Sequence, residues 1–289
     1  MLKKVLKYDM KAISGVWWLG AVVSIAASFI GSLLLRFFFE VSRSNDRITL
    51  LSVLSTLALV AGFLCIVGVS LSYAFTMVLV FVRFYKNFFT DEGYLTFTLP
   101  VKRSTLLFSK TLNAAIWLIA HIGVIAVSGL MFLLLVYPGG EGNNFIDLYL
   151  FEKIGEFFKN LWDELGAWLI VYIFEILLII FVGLMFSILL IHFCITFGCM
   201  LVKKAKLFLS IGIYYAFISV ISLVTQLGSF LFTLVMYDGM WILLNNADKN
   251  QANAIFVLII LAITAAFATV AAVIYSVTQH MLDRKLNLQ

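Results

Sequence analysis

Residues able to do chemistry are sparse and scattered along this chain. His121, His192 and His280 stand singly, Cys65, Cys194 and Cys199 show no paired spacing, and no aspartates or histidines cluster at ligand spacing. A zinc site needs several N or S donors at short, characteristic intervals. Neither a metal centre nor a disulfide framework is indicated. The phosphate-cradling G-x-x-x-x-G-K-[ST] is absent, as are H-E-x-x-H and G-x-S-x-G. No catalytic residue is assigned, and the chain has no recognisable loop of its own for hydrolysing ATP. The histidines and cysteines read as packing groups.

One carboxylate breaks this pattern. Glu175 stands inside "VYIFEILLII", where an ionised group is costly and usually faces a cavity or a partner. Two readings stay open. It is a substrate-path or proton-relay residue, or it is a carboxyl hydrogen-bonded to a neighbouring helix near the outer interface. No second acid within an apolar run supports a complete relay.

The elements that position these residues follow from composition. The chain has 289 residues, of which 63% are hydrophobic and 12% charged, with a mean hydropathy of +1.09. Several apolar runs exceed the roughly 18 residues that signal a membrane span. In hydrocarbon every backbone amide must be bonded internally, and runs of this length without period-2 alternation are helices. The fold class is therefore all-α, a polytopic membrane protein forming a single transmembrane domain over residues 1–289. Six spans are expected, at 13–35, 50–82, 105–136, 167–201, 207–236 and 254–277. Spans two, three and four are overlong for the bilayer core and should project on the inner side.

Charge gives the orientation. Lys3, Lys4, Lys7, Lys11, Arg83, Lys86, Lys102, Arg103, Lys110, Lys203, Lys204, Lys206, Arg284 and Lys285 fall on one side, fourteen of the 20 basic residues. The positive-inside rule places that side, with both termini, in the cytoplasm. The net charge of +5 thus reflects topology, not nucleic-acid binding. Residues 1–12 carry Leu2, Val5, Leu6 and Met10 on one helical face among lysines, the pattern of a helix lying in the headgroup layer. Residues 138–166 form an outer loop in which Ile146, Leu150, Ile154, Phe157, Phe158, Leu161 and Leu165 recur at helical steps opposite acids. An external amphipathic helix is expected there.

The inner loop at 83–104 is built differently from a solvated linker. It reads "FYKNFFTDEGYLTFTLPVKRSTLLFSK" from Phe84 to Lys110, with acids, aromatics and a proline inside a basic collar. Tyr94, Leu95, Phe97 and Leu99 offer an apolar contact, Gly93 gives backbone freedom, and Pro100 closes the element. Leu95, Phe97 and Leu99 also alternate, so periodicity alone does not choose helix over strand.

This stretch resembles the cytoplasmic loop between spans two and three of bacterial ABC-exporter permeases of the type-two family, particularly the small Gram-positive ones. The resemblance rests on Asp91, Glu92, Gly93, Tyr94, Leu95, Thr96, Phe97, Thr98, Leu99 and Pro100, then Lys102 or Arg103, and Ser109 with Lys110. Elsewhere it rests on layout. The long third outer loop departs from permeases whose large outer element lies between spans five and six. The resemblance implies a coupling helix seated on an ABC ATP-binding subunit, with Thr90, Asp91, Glu92, Gly93, Tyr94, Leu95, Phe97, Thr98, Leu99 and Pro100 as contact residues. It implies two copies of that ATPase, a second permease subunit as homodimer or heterodimer, and a bacterial plasma membrane location. ATP and Mg would be held by the partner, with no cofactor in this chain. The cargo would be a hydrophobic or amphipathic peptide, lipid or drug. Gly62, Gly68 and Ser70 are expected to permit close contact with the second subunit. The rival classes are a proton-coupled secondary transporter using Glu175 and a non-transporting membrane sensor or assembly protein.

Orientation is checked by single cysteines placed by Asn160→Cys and Arg103→Cys in a background lacking the three natural ones. On intact cells an impermeant thiol reagent should label position 160 only. Labelling of position 103 from outside would reverse the topology.

Overall fold

The computed structural model describes residues 2–43, 49–98, 100–136, 149–202, 205–246 and 248–284. Among them lie eight helices and no strand: α1 (Leu2–Arg43), α2 (Thr49–Phe89), α3 (Asp91–Thr98), α4 (Arg103–Val136), α5 (Tyr149–Leu165), α6 (Trp168–Leu201), α7 (Lys206–Asn246) and α8 (Lys249–Arg284). Six of them, α1, α2, α4, α6, α7 and α8, are long and apolar enough to cross a membrane. The chain is a multi-pass, all-helical membrane protein. α2 has 41 residues and α4 and α6 have 34 each. At 1.5 Å per residue they reach about 50–60 Å, well beyond a hydrocarbon core about 30 Å thick.

Two segments differ from the sequence reading. Residues 2–12 are not a separate element; they are the opening turns of α1, which runs unbroken to Arg43. The expected amphipathic helix is α5, while 137–148 lie outside the described residues. Gly166 ends α5 in the left-handed region, at φ +57°, where only glycine is unstrained.

The chain divides into two compact units. The first comprises Met1–Arg83 and Leu112–Glu164. Here α1 buries a stripe of small residues, including Gly20, Ala21, Ser24, Ser28, Gly31 and Ser32, spaced three and four apart on one face. Helices in lipid gain little from hydrophobic association, so close backbone approach and interhelical hydrogen bonds hold them. A methyl group on Gly31 would sit 2.7 Å from Cys65 Cβ, and one on Gly62 would sit 2.7 Å from the Leu35 side chain. These paired contacts set α1 and α2 antiparallel. The Ser24 and Ser128 hydroxyls lie 3.3 Å apart, and Ser28 donates to the Ser128 carbonyl, tying α1 to α4. Gly62 and Gly68 lie against Leu35 and Ala27 of α1.

The second unit comprises Phe84–Thr111 and Leu165–Gln289. α6 and α7 form an antiparallel hairpin so close that a methyl on Gly198 would meet Ser210 Cα at 2.9 Å. α6 and α8 run parallel. Trp168 meets Asn250, Tyr172 meets Asn253 and Phe186 meets Phe267, at an offset of 81 or 82 residues throughout. The start of α8 is fixed by a capping box. The Asp248 N–H donates to Gln251 Oε1 at 3.2 Å, while Asp248 Oδ1 and O accept from the N–H groups of Lys249 and Ala252. At the other end of this unit the close of α2, α3, the start of α4 and the C-terminal end of α8 come together.

Because the Cα and N of Ser210 oppose Gly198 along with its hydroxyl, and the backbone atoms cannot rotate away, Gly198→Ala should lower stability by about 1–3 kcal/mol. Gly212, with nothing near it, is the control: Gly212→Ala should be neutral or stabilising by up to about 1 kcal/mol through helix propensity. Thermal melts of the two purified variants in detergent check both signs.

Candidate functional site

Within the stretch from Thr90 to Pro100, Asp91–Thr98 form a helix, not a strand, and the described candidate residues divide by direction. Thr90 closes α2, its hydroxyl donating to the Lys86 carbonyl at 2.6 Å, and its own carbonyl accepts the Gly93 N–H at 2.7 Å. Asp91 and Glu92 then occupy the first turn of α3, where the positive end of the helix dipole favours acids. Gly93 is buried, and a Cβ there would stand 2.7 Å from the Phe88 carbonyl oxygen. Only glycine lets α3 fold back so tightly on the end of α2. Phe97 lies edge-on to the fully buried Phe88, with ring centres 5.5 Å apart.

The base of α3 is completed by an arginine. Arg103 stacks its guanidinium over Phe97 at 5.2 Å and donates through Nη1 to the carbonyls of Leu282 and Asp283 at the end of α8. The last carbonyls of a helix have no donor within it. One side chain thus joins α3, α4 and α8. With Gly93 and Phe97 turned inward, Asp91, Glu92, Tyr94 and Leu95 face outward, the latter two exposing 66% and 68% of their surface. Thr96 and Thr98 spend their hydroxyls on carbonyls of α3 itself. Pro100 is exposed at the bend that follows, and Leu99 lies outside the described residues. The arrangement is a braced platform with two acids, a phenol and a leucine on its outer surface.

Two of the three histidines, His121 and His192, are buried packing groups. In the first unit His121 is fully buried, with Nε2 3.1 Å from the Ser72 hydroxyl and Nδ1 3.0 Å from that of Thr76. Ser72 gives its proton to the Val69 carbonyl at 2.6 Å. It therefore accepts from Nε2–H, and Nδ1 accepts from Thr76. In the second unit His192 is stacked on Phe84 at 3.9 Å and touched by the Thr111 hydroxyl at 3.4 Å. Among the described residues no group of three His, Cys, Asp or Glu is placed to hold a metal ion. The three cysteines are free thiols.

Glu175 is different. It is 2% exposed, and neither carboxylate oxygen has a hydrogen-bond partner among the described residues. The reading that it bonds a neighbouring helix is thereby overturned. Its neighbours on the same face of α6 do reach across to α8: the Trp168 indole N–H donates to Asn250 Oδ1 and the Tyr172 hydroxyl donates to Asn253 Oδ1, both at 3.0 Å. Asn253 Nδ2 is also buried without a partner. Sequence reasoning singled out Glu175 but missed Trp168, Tyr172, Asn250 and Asn253. The available signals were the i, i+4, i+7 spacing of 168, 172 and 175 and the Asp-x-x-Gln box opening α8.

Compared with protein-family models, with curated proteins and with solved structures, the chain matches none.

Gly93→Ala tests the brace. The added methyl opposes a backbone carbonyl that has nowhere to move, so α3 should loosen by about 1–3 kcal/mol. Hydrogen exchange should quicken over 91–98 while the amides of α6 keep their protection. Unchanged exchange in α3 would show that the close approach to Phe88 is not what seats it.

Proposed function

We propose that this chain is the membrane-spanning permease subunit of an ATP-binding cassette exporter in a bacterial plasma membrane, moving a hydrophobic or amphipathic cargo outward. The observation that carries this reading is α3: a short helix whose inner face is locked to α2, α4 and α8 and whose outer face presents Asp91, Glu92, Tyr94 and Leu95. A solvated turn has no use for a two-thirds-exposed tyrosine and leucine on a rigid mount. A partner ATPase does, since aromatic anchors flanked by charges are the usual basis of such contacts. ATP and Mg would be bound by that partner, two copies of which would serve two permease subunits.

The brace supplies the transmission. Displacement of α3 by the ATPases would be passed through Phe88 to α2 and through Arg103 to α4 and α8. Energy enters only if ATP is bound better in one arrangement of the helices than in the other. A second reading is favoured by one observation, the unpartnered buried carboxylate of Glu175: a secondary transporter coupled to protons. Vesicle transport abolished by an uncoupler and indifferent to ATP would select it.

The exporter reading is tested at the outer face of α3. The double variant Glu92→Lys, Tyr94→Ala should insert and fold normally, because neither side chain lies in a span. It should lose about 2 kcal/mol or more of ATPase affinity, roughly thirtyfold, in a pull-down, and lose export with it. A variant that binds the ATPase, responds to cargo and exports at the parental rate would reduce α3 to a decorated turn.

A further inference from the structure

The buried carboxylate does not stand alone on its helix face. Continuing along α6 from Trp168, Tyr172 and Glu175, the same stripe carries Ile179, Gly183, Phe186 and Leu190, at steps of three and four. Two cavities open along it. A smaller one of 260 Å³ is lined by Ile179, Gly183, Ile260 and Thr264 among others, and a larger one of 530 Å³ by Phe186, Leu190, Phe217, Val224 and Val270 among others. Both are bordered by Phe267. From Glu175 to Phe186 is about 16 Å along the helix. The seam therefore holds two apolar cavities, and the buried carboxylate of Glu175, which lines neither, stands one helical turn from Ile179 at the edge of the smaller one.

We propose that this seam binds a single-chain amphiphile with an ammonium head, the head at Glu175 and the alkyl chain in the two cavities. Charge chooses the head. A carboxylate without a counter-charge excludes anionic heads, and an ammonium brings three N–H donors to its two uncommitted oxygens. A bare metal ion would ask for further charged or imidazole ligands, and no group of three His, Cys, Asp or Glu is placed for one among the described residues. Asn253 Nδ2, also uncommitted, adds a donor for an oxygen next to the amine. Shape and apolarity choose the tail, since Phe186, Leu190, Phe217 and Phe267 offer it no hydrogen-bonding group. The proposal names the cargo class of the exporter and rests on that reading for the word cargo; the binding site itself does not need the ATPase.

The test is equilibrium binding to the full chain in phosphatidylcholine nanodiscs, without ATP or partner, using dodecylamine and dodecanol against empty discs. The unaltered protein should prefer the amine by at least about tenfold. Glu175→Gln should erase that preference while leaving dodecanol affinity unchanged, and Thr264→Phe, which fills the smaller cavity, should weaken both ligands. Equal affinity for amine and alcohol in the unaltered protein would overturn the proposal, as would a Glu175→Gln variant that keeps the preference. The first comparison needs no variant, so it decides even if Glu175→Gln does not fold. A protein that binds dodecylamine selectively but fails to recruit an ATPase would sink the exporter reading and leave this site standing.

Discussion

The end of α8 leaves carbonyls that no amide of its own helix can reach, and Arg103 answers two of them. The same guanidinium lies on Phe97, whose ring is held by Phe88. A planar, permanently charged group with several donors does both at once, capping a helix with its edge and covering an aromatic with its face. A lysine would manage one or the other. Through this residue the short helix α3 is mounted on three long ones, and its outward face acquires a fixed direction that eight residues of isolated helix could not maintain.

Elsewhere in the spans many hydroxyl and imidazole groups find partners within the bundle. Ser24, Ser28 and Ser128 bond among themselves, and His121 has both ring nitrogens engaged by hydroxyls one turn apart on α2. Many threonines return their hydroxyl to a carbonyl three or four residues back, among them Thr111, Thr196, Thr264 and Thr278. In a medium without water an unmatched polar atom costs more than a matched one contributes. The seam of α6 and α8 leaves Glu175 and Asn253 Nδ2 unmatched among the described residues, as Trp17, Asn87, Ser109, Asn113 and Trp117 are elsewhere, and of these Glu175 is the one carboxylate.

How much of this was legible in the sequence depends on the range of the interaction. The six spans follow from length and apolarity, which are local, and each helix covers most of its expected run. The α5 helix was legible for the same reason, from its periodicity. Whether 91–98 is helix or strand was not, because Leu95, Phe97 and Leu99 satisfy both periods; the decision lies in the contact of Gly93 with Phe88 and in the arginine eight residues after Leu95. That Gly62 lies against Leu35 was not legible, because the two residues belong to different spans. The lack of a partner at Glu175 is likewise a tertiary fact, since the side chains that face it from α8 are about eighty residues away in sequence.

The parallel register of α6 and α8 also leaves a mark on how this chain can change over generations. Each rung pairs a donor on one helix with an amide oxygen on the other, Trp168 with Asn250 and Tyr172 with Asn253. Loss of either member strands the other, and the cost is greatest at the part-buried rung of Tyr172 and Asn253. Such positions drift together or not at all. Among descendants of this sequence, 168 with 250 and 172 with 253 should substitute as couples, leaving a heritable trace of the seam.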